Sequence, residues 1–187
     1  KKHVDLALKC KQHEEYKNFV TGFDIAGNEA SKNPAELREY LKPLMKECVK
    51  FTIHAGENQP VENIWQAVYE LNADRIGHGL TLIDNPVLME RFKDRNIFIE
   101  LCPSSNFQIC NYNTIEKGKE YPLKYYFENG LKITINTDNP GISRTDITTE
   151  YLFASEIAQL SKLDILKLIR NSVQAVFLSK NEKKELL

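Results

Sequence analysis

The sequence predicts an α/β fold of the (β/α)8 TIM-barrel type. Short apolar segments with strand character alternate with amphipathic helical segments along the chain, which implies parallel strands with helices packed outside them. Each predicted strand carries an acid or a histidine at its carboxyl end: Asp24, His54, His78, Glu100 and Asp138. A βα barrel builds its active site from the carboxyl ends of successive strands, so the same pattern predicts an active site.

The elements of the first half follow from local signals. A helical segment covers about 4–16, and the first strand covers 19–24. Asn33 followed by Pro34 predicts a helix start, because Asn caps helices and proline suits the first helical position. This helix is expected to run to about Val49 and to be kinked or split at Pro43. The predicted elements that follow are strand 51–54, helix 60–71, and a short strand with a glycine turn at 75–79.

The second half continues the alternation. A helix begins at Asn85-Pro86, strand 97–101 follows, and a polar loop is predicted over 104–119. Helix 122–129 is expected to stop at Gly130, a residue suited to a left-handed C-cap. Strand 131–137 and a loop at Pro140-Gly141 lead to helices over 148–160 and 163–177. Ser161 and Asp164 form a capping box for the last of these helices.

Composition sets the broad class. The chain has 187 residues, is 42% hydrophobic and 27% charged, and carries a formal net charge of −1. This near-neutral balance gives no electrostatic reason to expect nucleic acid or an anionic membrane as a partner. No apolar run approaches the ~20 residues that cross a bilayer. Four cysteines without a CxxC pair favour reduced thiols and a cytoplasmic location.

The most specific motif is His54-Ala55-Gly56-Glu57. Strand alternation places His54 on the face opposite Phe51 and Ile53. Imidazole is a zinc ligand, and a carboxylate three residues later, beyond a flexible glycine, can serve as a proton shuttle beside the metal. An isolated motif of this kind is more often a hydrogen-bonded pair that caps the next helix.

Four further motifs occupy the other strand ends. Each has an ordinary structural explanation, such as a histidine in a tight turn or an Asp/Asn turn before proline. Five polar strand ends in register are much harder to explain in that way. Together they supply metal ligands, a shuttle and a second imidazole, which is a set suited to metal-assisted hydrolysis. The four motifs are Asp24 with Gly27, Gly77-His78-Gly79, Glu100-Leu101-Cys102-Pro103-Ser104-Ser105-Asn106, and Asn136-Thr137-Asp138-Asn139-Pro140.

These motifs, in this order, resemble the adenosine deaminase family of the zinc-dependent amidohydrolase superfamily. The resemblance covers essentially the whole chain and extends to the carboxyl-terminal stretch Asn171–Ser179. It implies hydrolytic deamination of adenosine, and of 2′-deoxyadenosine, to inosine and ammonia in purine salvage. It also implies one Zn²⁺ per complete site and a small purine nucleoside as partner.

The resemblance also implies roles for single residues. His54 and Asp138 correspond to zinc ligands, and Glu57 to the acid that protonates purine N1. His78 corresponds to the histidine that positions the attacking hydroxide, and the Gly27 N–H to the donor for purine N3. Asp24, Glu100 and Ser105 are expected to support these groups, and Asn106 and Ser143 to line the pocket.

Two departures from the family pattern stand out. Asn139 occupies a position where many members carry a second Asp, and its amide can donate to purine N7 at any pH. The chain has no HxH motif, from which the family takes its first two zinc ligands; His3 and His13 are assigned to a surface helix. A closed barrel has eight strands, and the five predicted here match the family's strands 4–8. We therefore expect residues 1–187 to form a single, partial barrel domain whose amino-terminal half is missing.

Several alternatives remain open. Adenine and AMP deaminases share much of this site, although Ala26-Gly27-Asn28-Glu29 resembles the adenosine branch. The chain lacks the HxE and PCxxC motifs of cytidine deaminases. A different class of function is an inactive fragment or an interaction module, which predicts an exposed apolar face and self-association. With half of the zinc ligands, the 187 residues alone are expected not to bind zinc tightly and to be inactive.

Overall fold

The computed structural model describes residues 1–110, 112 and 120–186 of the chain. Its described part contains one sheet of five parallel strands in the order β1-β2-β3-β4-β5. The strands are β1 (Gly22–Ile25), β2 (Lys50–Ala55), β3 (Arg75–His78), β4 (Phe98–Leu101) and β5 (Lys132–Ile135). Each strand pairs with the next strand along the chain, as expected for successive βα units, and β1 and β5 form the two edges.

Helices connect the strands. They are α1 (Lys2–Gln12), α2 (Arg38–Lys46), α3 (Val61–Tyr69), α4 (Pro86–Arg95), α5 (Pro103–Cys110), α6 (Leu123–Glu128), α7 (Pro140–Ser143), α8 (Ile147–Ala158), α9 (Lys162–Ala175) and α10 (Lys180–Glu185). Short 3₁₀ turns cover Glu29–Ser31, Pro34–Leu37 and Leu80–Asp84. Within the described residues, no helix has the length and apolar character needed to cross a membrane.

The register of the sheet explains how its two faces differ. Ile53, Ile76, Ile99 and Ile133 lie side by side across four strands and are almost fully buried. They form the centre of the core between the sheet and its helices. The next residue along each strand has its side chain on the opposite face of the sheet. On β2 this residue is His54, which pairs in register with Gly77 on β3. The predicted alternation of apolar and polar faces is therefore confirmed.

Several predicted elements need correction. The stretch predicted as a polar loop over 104–119 contains α5, which ends at Cys110; residues 111 and 113–119 of that prediction lie outside the described residues. A short helix, α7, replaces the loop predicted at Pro140-Gly141. Pro43 lies inside α2 and does not split it; the break comes earlier, where the 3₁₀ turn at Pro34–Leu37 passes into α2.

The caps and strand ends were predicted with mixed success. The capping box of Ser161 and Asp164 is confirmed at the start of α9, and Gly130 has the expected left-handed backbone (φ 76°). Among the predicted strand ends, His78 alone is the last residue of its strand. Asp24, His54 and Glu100 each precede the last residue, and Asp138 lies three residues beyond the end of β5.

Candidate active site

One face of the sheet lines an open cavity of about 440 Å³ together with the loops that follow the strands. Five of the residues singled out in the sequence line it: Asp24, His54, His78, Glu100 and Asp138. Their convergence follows from the parallel register, because the carboxyl ends of parallel strands meet at one edge of a sheet. The remaining lining residues are Thr52, Arg75, Gly77, Cys102, Ile135, Asn136, Thr137 and Ile147.

The glycines around His78 serve the packing of the two histidines. A Cβ on Gly77 would lie 2.8 Å from Cδ2 of His54, so glycine at this position makes room for the His54 ring. His78 itself has a left-handed backbone (φ 65°), a conformation that costs a non-glycine residue roughly 1–3 kcal/mol. The two rings pack edge to face, and Nε2 of His78 lies 3.3 Å from Nδ1 of His54.

Glu57 and His78 meet through a third residue, Asn106. The Asn106 amide nitrogen lies 3.3 Å from Oε1 of Glu57 and 3.0 Å from Nδ1 of His78. The same Glu57 oxygen is 3.4 Å from His78 Nδ1. The carboxyl group of Glu57 and the imidazole of His78, a residue that lines the cavity, are therefore held together, as general acid–base chemistry requires.

The environment shifts the pKa values of both groups. Burial raises the pKa of Glu57, and the negative charges of Asp138 and Glu29 add to this, whereas His54 and the Asn106 hydrogen bond oppose it. Burial lowers the pKa of His78 to about 4, with the nearby His54 as a second cause, so His78 is neutral at pH 7. The pair thus combines an acid that retains its proton to higher pH with a neutral imidazole.

Asp138 is held from both sides. Its Oδ2 accepts a 2.6 Å hydrogen bond from the Ser105 hydroxyl, and its Oδ1 accepts one of 3.0 Å from the Asn139 amide. Its backbone is left-handed (φ 54°), which turns the chain between β5 and α7. The predicted supporting position of Ser105 therefore corresponds to a direct contact with Asp138.

Glu100 has a cation as its partner. Its Oε1 lies 2.7 Å from Nε of Arg75, and its other oxygen accepts a hydrogen bond from the Thr52 hydroxyl. Both charged side chains are largely buried, so each provides the counter-charge that the other needs. Asp24 lies on the edge strand β1, in register with Thr52, and its side chain is exposed.

Six residues with a predicted role at the site do not line this cavity: Gly27, Glu57, Ser105, Asn106, Asn139 and Ser143. Gly27 has a backbone that favours glycine (φ 107°) and lies in the loop after β1, at a neighbouring cavity that His54 also lines. Asn139 is exposed, and its side-chain amide is engaged with Asp138. His3 lies in α1 and His13 caps the end of that helix, as the sequence predicted for surface residues.

The donor set is suited to zinc but contains too few ligands. Imidazole nitrogen and carboxylate oxygen are both ordinary zinc donors, and His54 and Asp138 line one cavity. Catalytic zinc takes at least three protein ligands. In the part of the chain that the structure describes, no group of three His, Cys, Asp or Glu side chains could hold a metal ion.

Some contributors were not predicted. Glu29 accepts hydrogen bonds from the backbone N–H groups of Gly56 and Glu57, and so connects the loop after β1 to the loop after β2. Tyr121 donates a hydrogen bond to Asn106, and buried Glu150 accepts one from the Ser104 N–H at the start of α5. The partners of Glu29, Tyr121 and Glu150 are distant in sequence, so the residues around each of the three give no indication of these contacts.

Comparison with known proteins was made on sequence and on structure. The family model described as adenosine deaminase matches residues 5–187. An adenosine deaminase from Shewanella loihica is 37% identical over 181 residues, which cover 95% of this chain and 54% of the relative. One from Pseudoalteromonas translucida is 39% identical over 173 residues, which cover 92% of this chain and 51% of the relative. The chain thus spans about half the length of the curated relatives it matches.

Solved structures show the same fold. An adenine deaminase from Arthrobacter aurescens superposes with a TM-score of 0.83 at 21% identity, over 98% of this chain and 56% of the other. A zinc-bound amidohydrolase from Burkhoderia ambifaria gives 0.86 at 23% identity, over 97% and 50%. The N6-methyl-AMP deaminase from Arabidopsis thaliana gives 0.79 at 24%, over 98% and 51%. These matches confirm the predicted fold class, with this chain equivalent to about half of each barrel.

Proposed function

This chain belongs to the adenosine deaminase family, and on that premise we propose that the full-length protein hydrolyses adenosine, and 2′-deoxyadenosine, to inosine and ammonia in purine salvage. The observation that carries the proposal is the group of Glu57, His78 and Asn106 beside a cavity lined by His54 and Asp138. Such a group provides acid–base chemistry next to two donors that suit zinc.

His54 and Asp138 are the residues we propose as this chain's zinc ligands. Zinc, when bound, would lower the pKa of a water molecule to about 7 and so make it a nucleophile at neutral pH. Asp138 is available for this role because Ser105 and Asn139 hold its carboxylate in one orientation. The other ligands would come from outside the 187 residues, and we expect these residues alone to hold zinc weakly.

Glu57 is proposed as the general acid. Its raised pKa favours the protonated form nearer to neutral pH, and that proton can pass to N1 of the purine. Protonation at N1 makes C6 electrophilic, so that water adds at C6 and the 6-amino group leaves as ammonia. His78, neutral at pH 7, can orient the water through a ring nitrogen. Glu57, once it has given its proton to N1, can take up the water protons, of which one completes ammonia and one restores the acid.

Two residues are proposed to bind the purine. The backbone N–H of Gly27 would donate to N3, and the loop that carries it adjoins His54. The Asn139 amide has two N–H groups; one is used by Asp138, and the second can donate to N7.

The test compares substrates. Purified full-length protein with zinc is assayed for ammonia release from adenosine, adenine, AMP and N6-methyl-AMP, and we expect adenosine to have the highest kcat/KM. Glu57→Gln should lower kcat by about 10²- to 10⁴-fold, the usual contribution of a general acid. Glu62→Gln, at an exposed position in α3, is the matched control. Preference for adenine or a nucleotide would favour that branch of the superfamily, and release from none of the four would contradict the proposal.

The competing proposal, a non-catalytic interaction module, makes a separate prediction for the isolated 187 residues. It requires self-association or partner binding that continues when zinc is removed. Sedimentation in the presence and absence of a chelator, together with the zinc content of the isolated chain, distinguishes the two. A zinc content near one per chain with adenosine turnover would overturn the expectation that these residues alone are inactive.

A further inference from the structure

The side chain of Asn106 is fully buried, and all four of its hydrogen-bonding positions are used. Its Oδ1 lies 3.2 Å from the backbone nitrogen of Cys102 and 2.9 Å from the hydroxyl of Tyr121. Its Nδ2 lies 3.3 Å from Oε1 of Glu57 and 3.0 Å from Nδ1 of His78. An asparagine amide can accept two hydrogen bonds and donate two, so this residue has no capacity to spare.

The orientation of this amide is determined by its neighbours. A backbone N–H can only donate, so the Asn106 atom that faces Cys102 must be the oxygen. Tyr121 is buried, and its hydroxyl donates its one proton to the same oxygen. The Asn106 NH₂ group must therefore face Glu57 and His78, and its two protons match these two acceptors.

From this arrangement we propose that Asn106, held in place by Tyr121, fixes His78 as the tautomer with its proton on Nε2 and holds Glu57 through Oε1. Nδ1 of His78 accepts a hydrogen from the Asn106 amide at 3.0 Å and must present a lone pair. The ring proton then lies on Nε2, the nitrogen that is 3.3 Å from Nδ1 of His54, and both histidines line the cavity. Asn106 and Tyr121 are positioning residues for the proposed deamination, and this inference rests on that function.

The opposite tautomer is disfavoured by the same contacts. A proton on Nδ1 would point at the Asn106 NH₂ group, so that two donors would face each other inside a buried site. Glu57 could accept such a proton only at 3.4 Å, a longer contact than the one Asn106 makes. Because Oε1 of Glu57 is engaged by Asn106, its other oxygen is the one available to carry a proton to the substrate.

NMR of the ring nitrogens identifies the tautomer of His78 directly. Full-length protein labelled with ¹⁵N-histidine is studied by NMR, because the shifts of the two ring nitrogens distinguish the protonated nitrogen from the unprotonated one. The His78 signals are assigned by their loss in His78→Gln. We expect wild type to show Nε2–H. Asn106→Asp replaces the donor with an acceptor and should move the proton to Nδ1, with kcat lower by about 100-fold.

Tyr121→Phe is the milder variant. It removes the hydroxyl but keeps the ring that packs against Phe107 and Tyr112. We expect a mixture of the two His78 tautomers and a kcat lower by about 10-fold, with KM for adenosine unchanged. Tyr125→Phe, at a partly exposed ring in α6, is the matched control and should change neither the spectrum nor kcat.

A His78 that carries its proton on Nδ1 in wild type would overturn the inference, as would an unchanged tautomer in Asn106→Asp. These results are independent of the deaminase assay. If the tautomer changes as expected but no purine is deaminated, the proposed function fails and the hydrogen-bond assignment stands. If adenosine is deaminated and the tautomer is the other one, the function stands and this inference fails.

Discussion

The Ser105 hydroxyl donates a 2.6 Å hydrogen bond to Oδ2 of Asp138, so the first turn of α5 contacts the loop that follows β5. Ser105 is buried, and this contact restricts the rotation of the carboxylate that we propose as a zinc ligand. Groups that orient metal ligands in this way typically contribute 10- to 100-fold to metal affinity.

Ser105→Ala should therefore weaken zinc binding by about 10- to 100-fold in the full-length protein, measured by competition with a chelating dye. Ser104→Ala is a matched control on the same helix, because the Ser104 hydroxyl makes no hydrogen bond with any described residue. Equal affinities of Ser105→Ala and wild type would show that Asp138 needs no such support or does not bind the metal.

Glu29 clamps the loop that carries Glu57. Its carboxylate accepts hydrogen bonds from the N–H groups of Gly56 (2.5 Å) and Glu57 (3.0 Å), and from the Asn63 amide (3.2 Å). Glu29→Gln places an NH₂ group against one of these donors, so one hydrogen bond is lost and a donor remains unsatisfied. We expect a destabilisation of about 1–3 kcal/mol in urea unfolding and a lower kcat.

Glu39→Gln, at an exposed position in α2, provides the control for the loss of one negative charge and should leave both quantities unchanged. If Glu29→Gln and wild type have the same free energy of unfolding, the hydrogen bonds of Glu29 contribute nothing to stability. If stability falls and kcat does not, the loop holds Glu57 in place without Glu29.

Gly56 needs to be glycine for two separate reasons. Its backbone is left-handed (φ 73°), and a Cβ there would collide with Ile64 and lie 2.6 Å from Oγ1 of Thr81. Gly27 also has positive φ, but no atom lies within 4 Å of the position of its Cβ. Gly56→Ala should cost backbone strain plus about 1–3 kcal/mol of overpacking, whereas Gly27→Ala should cost the strain alone.

Thermal unfolding of the two glycine variants measures this difference. Both variants lose stability through strain in the left-handed backbone. The additional loss of stability in Gly56→Ala therefore measures the steric conflict of the new Cβ with Ile64 and Thr81. Equal losses at the two positions would mean that Ile64 and Thr81 move aside at little cost.

The contrast between β2 and α5 shows what the sequence could predict. Phe51, Ile53 and His54 lie on the predicted faces because a strand has a period of two, and the apolar residues determine which face is buried. The order of the strands could also be predicted, because each strand of successive βα units pairs with the next strand along the chain.

Helix α5 was missed because its segment lacks a clear apolar stripe. Hydrogen bonds to distant residues hold its first turn in place. Glu150 accepts one from the Ser104 N–H. Ser105 donates one to Asp138, and Asn106 donates one to Glu57. None of these partners is near in sequence, so no local periodicity reports them. The same applies to Arg75, whose position at the start of a strand gives no sign that it pairs with Glu100 beside the cavity.

His78 should make the stability of the protein depend on pH. Its pKa is about 4 in the folded protein against an ordinary value of 6.5, and its side chain is 2% exposed. Above pH 6.5 the histidine is neutral in both the folded and the unfolded chain, and there is no penalty. Between pH 6.5 and 4 the unfolded chain binds a proton that the folded protein rejects, so stability falls as the pH falls, by at most about 3 kcal/mol. Urea unfolding of chelator-treated, full-length protein at pH 7, 6, 5 and 4 measures this slope. His78→Gln should reduce it, and His13→Gln, at an exposed histidine, should not. If wild type and His78→Gln lose stability in parallel, the burial of the His78 ring does not oppose its protonation.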